Sequence, residues 1–217
     1  RSIVGFSKTT SGRYTLIKNT IQNVFFLFYD IGAGWQQIDL TDYNFSELGL
    51  FTAKDKSFLY DSVQGLMLLV NGSIETLYAS QGIEKIISYK NDWYLVSPKA
   101  SATITRTVVK THDFVNFNTP YTTQLDSIDN PAEFQTRMFI GATDTYVGDM
   151  QNFMVMDVYS QSRCVIGDRL INLNTSRVCS YTIDGVNFYP MPMMLSNQTA
   201  WGYKDGCSFI AVYGILN

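Results

Sequence analysis

At 217 residues, with 46% hydrophobic, 14% aromatic and only 16% charged side chains, the chain can bury a substantial core, and its charge content lies well below that of an average soluble domain. A net charge of -3, with acids and bases scattered, leaves no basic stripe and excludes nucleic acid as an expected partner. One histidine (His112), three cysteines (Cys164, Cys179, Cys207) without CxxC spacing and no apolar run near the ~20 residues that span a bilayer argue against a metal, a cofactor and membrane insertion.

The start, RSIVGFSKTT, has no charged segment followed by an apolar one, so no export signal is visible, and the chain reads as processed from, or part of, a longer one. Asn44, Asn71, Asn174 and Asn197 open Asn-x-Ser/Thr triplets, which chance supplies readily in a sequence this rich in those residues. No apolar pattern at helical spacing is sustained with a cap and a stop, so helix content should be small. What recurs is a run of Val, Ile, Tyr, Phe and Thr, then a cluster of Gly, Asn, Asp or Ser. In chain order the expected strands are 13–19, 24–30, 35–40, 57–62, 65–70, 74–80, 85–90, 92–97, 103–111, 136–142, 152–160, 169–174, 177–182 and 208–215.

Many short strands at this spacing mean an antiparallel sandwich, barrel or propeller, and a propeller repeats a four-stranded unit. Ile87–Ser97 lines up with Trp201–Gly214 through Tyr-Lys, a short polar turn and an aromatic that opens the next strand; Phe51–Ser62 matches more weakly. Expected blades therefore fall near 46–80, 83–125 and 134–195, with 199–217 begun at one end of the chain and completed by residues 1–42. This gives a single all-β domain over 1–217, a small β-propeller of four or five antiparallel blades closed by its N- and C-terminal strands. A β-sandwich is the alternative.

Two stretches echo each other: Thr111–Phe117 (THDFVNF) and Thr182–Phe188 (TIDGVNF). An Asp heading a tight turn accepts hydrogen bonds from the amides after it, Gly185 allows a positive φ, and a closing aromatic can wedge between sheets. Thr182, Asp184, Gly185 and Phe188 resemble the Asp-box of sialidase-type propellers. Thr111, Asp113 and Phe117 are similar with Phe114 in the glycine position, and Asp30, Gly32 and Trp35 with Phe28 in place of Ser/Thr. The resemblance implies a hairpin between the third and fourth strands of a blade, remote from any substrate pocket, so that Asp30, Asp113, Asp184 and Gly185 are turn residues and Trp35, Phe117 and Phe188 pack.

A sialidase would need three clustered arginines, and the seven arginines show no such arrangement. No GxSxG elbow accompanies His112, and Gly32–Gly34 lacks a dinucleotide fingerprint. Asp61, Asp92, Asp149, Asp157, Asp168 and Asp205 lie near strand ends, where a glycosidase could use two or three of them, but none stands out and no catalytic residue is assigned. Loops rich in Tyr, Trp, Asn and Ser suit recognition, because aromatic faces stack on sugars and short polar groups reach hydroxyls. Trp93, Trp201 and Tyr203 are the binding candidates, although Trp93, like Trp35, also opens a strand where an aromatic packs between sheets. The loop Gln124–Phe134 is a further candidate, and Tyr189–Leu195, with three Met and two Pro, suits an irregular outer strand or a pliable surface.

The expectation is a non-enzymatic module that recognises a cell-surface glycan or receptor protein, working outside the cell or on a virion, beside other structural proteins of an assembly. In composition it is similar to phage tail and receptor-binding proteins. The competing reading is a carbohydrate-active hydrolase with carboxylates at the propeller mouth.

Overall fold

The computed structural model describes the backbone of residues 2–100, 103–160, 162–173, 178–194, 198–204 and 207–213, with side chains described through residue 191 apart from Val178. Every regular element among the described residues is a strand. The first sheet is β1 (Ser2–Thr9), β2 (Gly12–Asn19), β3 (Val24–Asp30) and β4 (Gln36–Ile38). The second is β5 (Leu48–Ala53), β6 (Lys56–Asp61), β7 (Gly65–Val70) and β8 (Ser73–Tyr78). The third is β9 (Lys85–Tyr89), β10 (Asp92–Val96), β11 (Thr105–Thr111) and β12 (Tyr121–Gln124). The fourth is β13 (Ala132–Phe134), β14 (Arg137–Ile140), β15 (Thr145–Gly148) and β16 (Phe153–Met156). The fifth is β17 (Ser162–Ile166), β18 (Arg169–Leu173), β19 (Val178–Thr182) and β20 (Tyr189–Met194), and β21 (Gln198–Lys204) pairs with β22 (Cys207–Tyr213) as a hairpin.

All five four-stranded sheets have their strands in chain order, so the fold is all-β and propeller-like, built from consecutive up-and-down antiparallel sheets. The expected blades near 46–80 and 83–125 agree with the second and third sheets to within a few residues. The stretch 134–195 is corrected from one blade to two, because β13, β15 and β16 are only three or four residues long and leave little periodic signal. The N-terminal strands do not complete a sheet begun near residue 199: β1 adds a strand at Ser2–Thr9, residues 2–38 complete a sheet of their own, and no strand pairing joins the two ends among the described residues.

Contacts divide the chain into two compact units, residues 1–100 with 106–121, and 101–105 with 122–217. In the first unit the second sheet is buried on both faces. Leu59, Met67 and Leu69 pack with Tyr14, Leu16, Leu27 and Ile38 of the first sheet, while Phe58 and Leu66 point the other way onto Leu95 and Val109 of the third. Side chains alternate across a strand, so a sheet covered on both sides must be apolar at successive positions. That explains why Gly65–Val70 reads as an unbroken apolar run. Each such side chain, fully buried, contributes on the order of 1.5–3 kcal/mol. Ser7 sits between the first two sheets at 2.6 Å from both Thr52 and Ser57, which satisfies its buried hydroxyl.

In the second unit Phe134, Phe139 and Val147 of the fourth sheet pack with Leu170 of the fifth, and Ala132, Met156 and Phe188 close the cluster. Cys164 and Cys179 are free thiols, and burial pushes the Cys164 thiol up to about 11. The side chain of Cys207 lies outside the described residues.

Candidate functional site

The echoed motif forms two turns of the same geometry. Asp184 Oδ1 accepts the Val186 and Asn187 backbone amides at 2.9 and 2.8 Å, Oδ2 accepts the Asn187 side-chain amide at 2.7 Å, and the Thr182 hydroxyl donates to Oδ1 and accepts the Gly185 amide. Asp113 accepts Val115 and Asn116 at 2.9 and 2.8 Å and the Asn116 side chain at 2.8 Å, while Thr111 Oγ1 accepts the Phe114 amide. The residue after each aspartate is left-handed, with φ 69° at Gly185 and 60° at Phe114. A Cβ at Gly185 would meet Phe139 Cζ at 3.1 Å, so glycine suits that position. Phe114 instead sends its ring into the core, 4.5 Å from the Phe58 ring and 5.4 Å from that of Trp93, where burial outweighs the cost of its backbone conformation.

A third turn of this kind escapes the sequence pattern because it lacks the leading Thr. Asp149 accepts Gln151 and Asn152 at 3.1 and 2.8 Å, Met150 is left-handed at φ 72° and buried, and Phe153 follows. Asp-x-x-Asn-Phe is the signal shared by all three. A fourth, Asp30, accepts Gly32 and Gly34 at 2.8 and 3.1 Å and pairs with Arg13 opposite it on β2. All four close the third-to-fourth strand connection of their sheets. Phe117 and Phe188 pack between sheets. Trp35 does not: it is 49% exposed and covers the Arg13 guanidinium, whose carbon lies 5.4 Å from its ring centre.

The amides donated to Asp184 and Asp113 hold both carboxyls far below the usual carboxylate range, and the Gly32 amide and Arg13 lower that of Asp30. Unfolded aspartates take up protons near pH 4 while these native ones stay ionised, so below that pH the unfolded chain binds more protons and stability falls with pH. Thermal melts should show a plateau above about pH 5 and a drop below about pH 4. Asp184→Asn should lower Tm by about 2–4 °C at pH 7 and make the acid drop shallower. A variant as steeply acid-labile as wild type would show that the clamp carries no linkage.

The other carboxylates near strand ends have local roles or stand exposed. Asp92 bonds Lys110 at 2.6 Å and His112 at 3.0 Å. Asp168 lies 3.7 Å from Arg169, Asp157 is exposed, and Asp205 is outside the described residues. Among the described residues no three of His, Cys, Asp and Glu converge as metal ligands. The 124–134 loop is tied down: Leu125 and Ile128 are buried, and the Ser127 hydroxyl donates to Asp129 at 2.7 Å. Trp93 is half-buried and packs with its ring tilted against those of Phe51 and Phe114. The side chains of Trp201 and Tyr203, on β21, lie outside the described residues.

Among the described residues, one concave surface lies where the sequence does not announce it. β4 is only three residues long and pairs with Leu27–Tyr29 alone, so the chain leaves the sheet opposite Leu27 while Val24–Phe26 continue past it. The segment 39–45 folds back over this gap: Thr41 donates its amide to Asp39 Oδ1 at 2.9 Å, and Tyr43 donates its amide to the Leu40 carbonyl at 3.1 Å. The Tyr43 ring stacks on Phe45, centroids 5.1 Å apart and planes within 3°. A groove of about 270 Å³ lies on one side, lined by residues including Asn23, Phe25, Phe26, Thr41 and Phe45. A shallower one of about 420 Å³ on the other is lined by residues including Tyr29, Asp42, Gly72 and Ser73. Gln37, Ile38, Asp39 and Tyr43 line both. Gly72 keeps the second groove close to Tyr29, since a Cβ there would meet the Tyr29 ring at 2.5 Å.

The link is fastened at its far end by Asp61, whose Oδ2 accepts the Ser46 and Glu47 amides at 2.9 and 3.0 Å while its Oδ1 accepts Val63 and Gln64 at 2.7 and 2.8 Å. A stacked aromatic pair, two exposed carboxylates and several amides and hydroxyls therefore share one mixed surface, the chemistry that holds polyhydroxylated ligands.

No family model matches the chain, and no curated protein matches it. Among solved structures it is similar to the computationally designed Ika8 protein, with TM-score 0.58 and 9% identity over 98% of this chain and 71% of that one. It is also similar to PorZ, an essential bacterial surface component of the type-IX secretion system of Porphyromonas gingivalis, with TM-score 0.56 and 10% identity over 92% of this chain and 29% of that one. At these identities the likeness is one of fold alone.

Proposed function

We propose that the chain is a recognition module that binds a glycan through the grooves on either side of Tyr43. The observation that carries this is the Tyr43–Phe45 stack set between two open grooves with Asp39, Asp42 and Gln37 at their walls. Tyr43 presents apolar surface for a sugar ring, and the short polar groups reach its hydroxyls without needing a moving part. In this reading the aspartate-clamped turns are Asp-boxes and serve as scaffold, and the five sheets are blades of a propeller. The same reading suits a protein displayed outside the cell or on a virion, such as a phage tail or receptor-binding component, where a glycan is the first contact.

A glycan array followed by titration of any hit tests the proposal. Tyr43→Ala should weaken binding about tenfold or more, a loss near 1.4 kcal/mol, with Tm essentially unchanged. Full binding by the Tyr43 variant would move the site elsewhere. Incubating the hit with the protein separates recognition from hydrolysis: recovered intact glycan supports a binding module, and cleaved product supports the carbohydrate-active hydrolase.

A further inference from the structure

Among the side chains that line the two grooves there is no arginine, lysine or histidine. Their only charges are Asp39 and Asp42, both exposed. The Thr41 amide bonds Asp39 at 2.9 Å, so one of the two is held in place as a hydrogen-bond acceptor. Charge-assisted bonds from hydroxyls to a carboxylate are the strong kind, and a sugar with adjacent hydroxyls can offer two to one Asp. A sugar carboxylate or sulfate placed in the second groove, which both aspartates line, would meet two like charges and no cation among its lining side chains, whereas in the first it would meet Asp39 alone, with Lys18 Nζ 5.0 Å from the Phe25 ring on its wall.

We infer that this site, if it is the glycan site proposed above, selects uncharged sugars and rejects acidic ones such as uronic, sialic or sulfated units. Like charges at contact distance repel, so two carboxylates impose a preference of roughly tenfold or more. Exposed charges are screened over about 8 Å at physiological salt, so the preference should shrink as salt is raised.

The experiment uses the whole chain on an array of paired glycans that differ only in a terminal carboxylate or sulfate. Wild type should bind the uncharged member of a pair at least about tenfold more strongly. The double variant Asp39→Asn with Asp42→Asn should bring the two members within about threefold, because asparagine keeps an acceptor and loses the charge. Equal binding of both members by wild type, or an unchanged gap in the double variant, overturns the inference while leaving glycan recognition standing. Binding to no glycan of either kind overturns the glycan reading and this inference with it.

Discussion

Asp61→Asn should destabilise the first unit by about 2–4 kcal/mol and loosen the link that carries Tyr43. The Asp61 side chain is fully buried, and its two oxygens accept four backbone amides, two from the 62–64 turn and two from Ser46 and Glu47. Asparagine has one acceptor oxygen, so whichever way it turns, an NH2 group faces two N–H donors and leaves them unpaired. Hydrogen bonds to a charged group are the stronger class, which places this loss above that of an ordinary surface aspartate. Urea unfolding should show the lower midpoint, and amide exchange over 39–47 should rise. Binding at the proposed glycan site should weaken even though Asp61 lines neither groove, because it acts through the position of the link. Wild-type stability in the variant would mean that the two orphaned amides find water or other acceptors.

Arg163→Met should cost the second unit about 3 kcal/mol or more. Arg163 is 8% exposed and donates from Nε to Asn172 at 3.0 Å, from Nη1 to the Asn130 carbonyl at 2.9 Å, and from Nη2 to the Gly141 carbonyl at 3.2 Å and Thr145 at 2.7 Å. No carboxylate pairs with it among the described residues. Two effects oppose each other. Burial penalises the cation and brings its pKa down to about 10, a cost that stays constant at every pH below that value and eases only above it. Against this, methionine fills the space but orphans the two carbonyls and the Asn172 oxygen, at about 1–3 kcal/mol each when they stay dry. The orphaned acceptors should win. Arg163→Lys should recover only part of the loss, since a single ammonium cannot span acceptors on four sides. If Met matched or exceeded wild type in urea midpoint, desolvation would be the larger effect and the guanidinium a net liability.

The sequence's strand and turn grammar carries the second and third sheets almost entirely, because Phe58, Leu59, Leu66 and Met67 are buried on both faces and make runs that only strands of that length explain. The Asp113 and Asp184 turns are legible for a related reason: their function is local, and every partner lies within three residues. What was hidden is long-range or short. The fourth and fifth sheets merged into one expected blade because the periodicity of three-residue strands is too brief to read. The groove depends on where β4 stops against β3, a register no single stretch encodes. Trp35 looked like a wedge, since an aromatic at a strand start usually is one, and tertiary context gave it Arg13 to cover instead.

The way the 39–47 link is moored has a practical corollary. Its two attachments, β4 pairing on one side and the Asp61 carboxylate on the other, hold backbone atoms and are indifferent to which side chains lie between them. Leu40 packs on the core beneath the link, so residues 41–44 form a cassette. Randomising them in a display library, with Asp61, Gln36–Ile38 and Leu40 kept, should yield folded proteins whose two grooves carry new side chains while the sheets beneath stay constant.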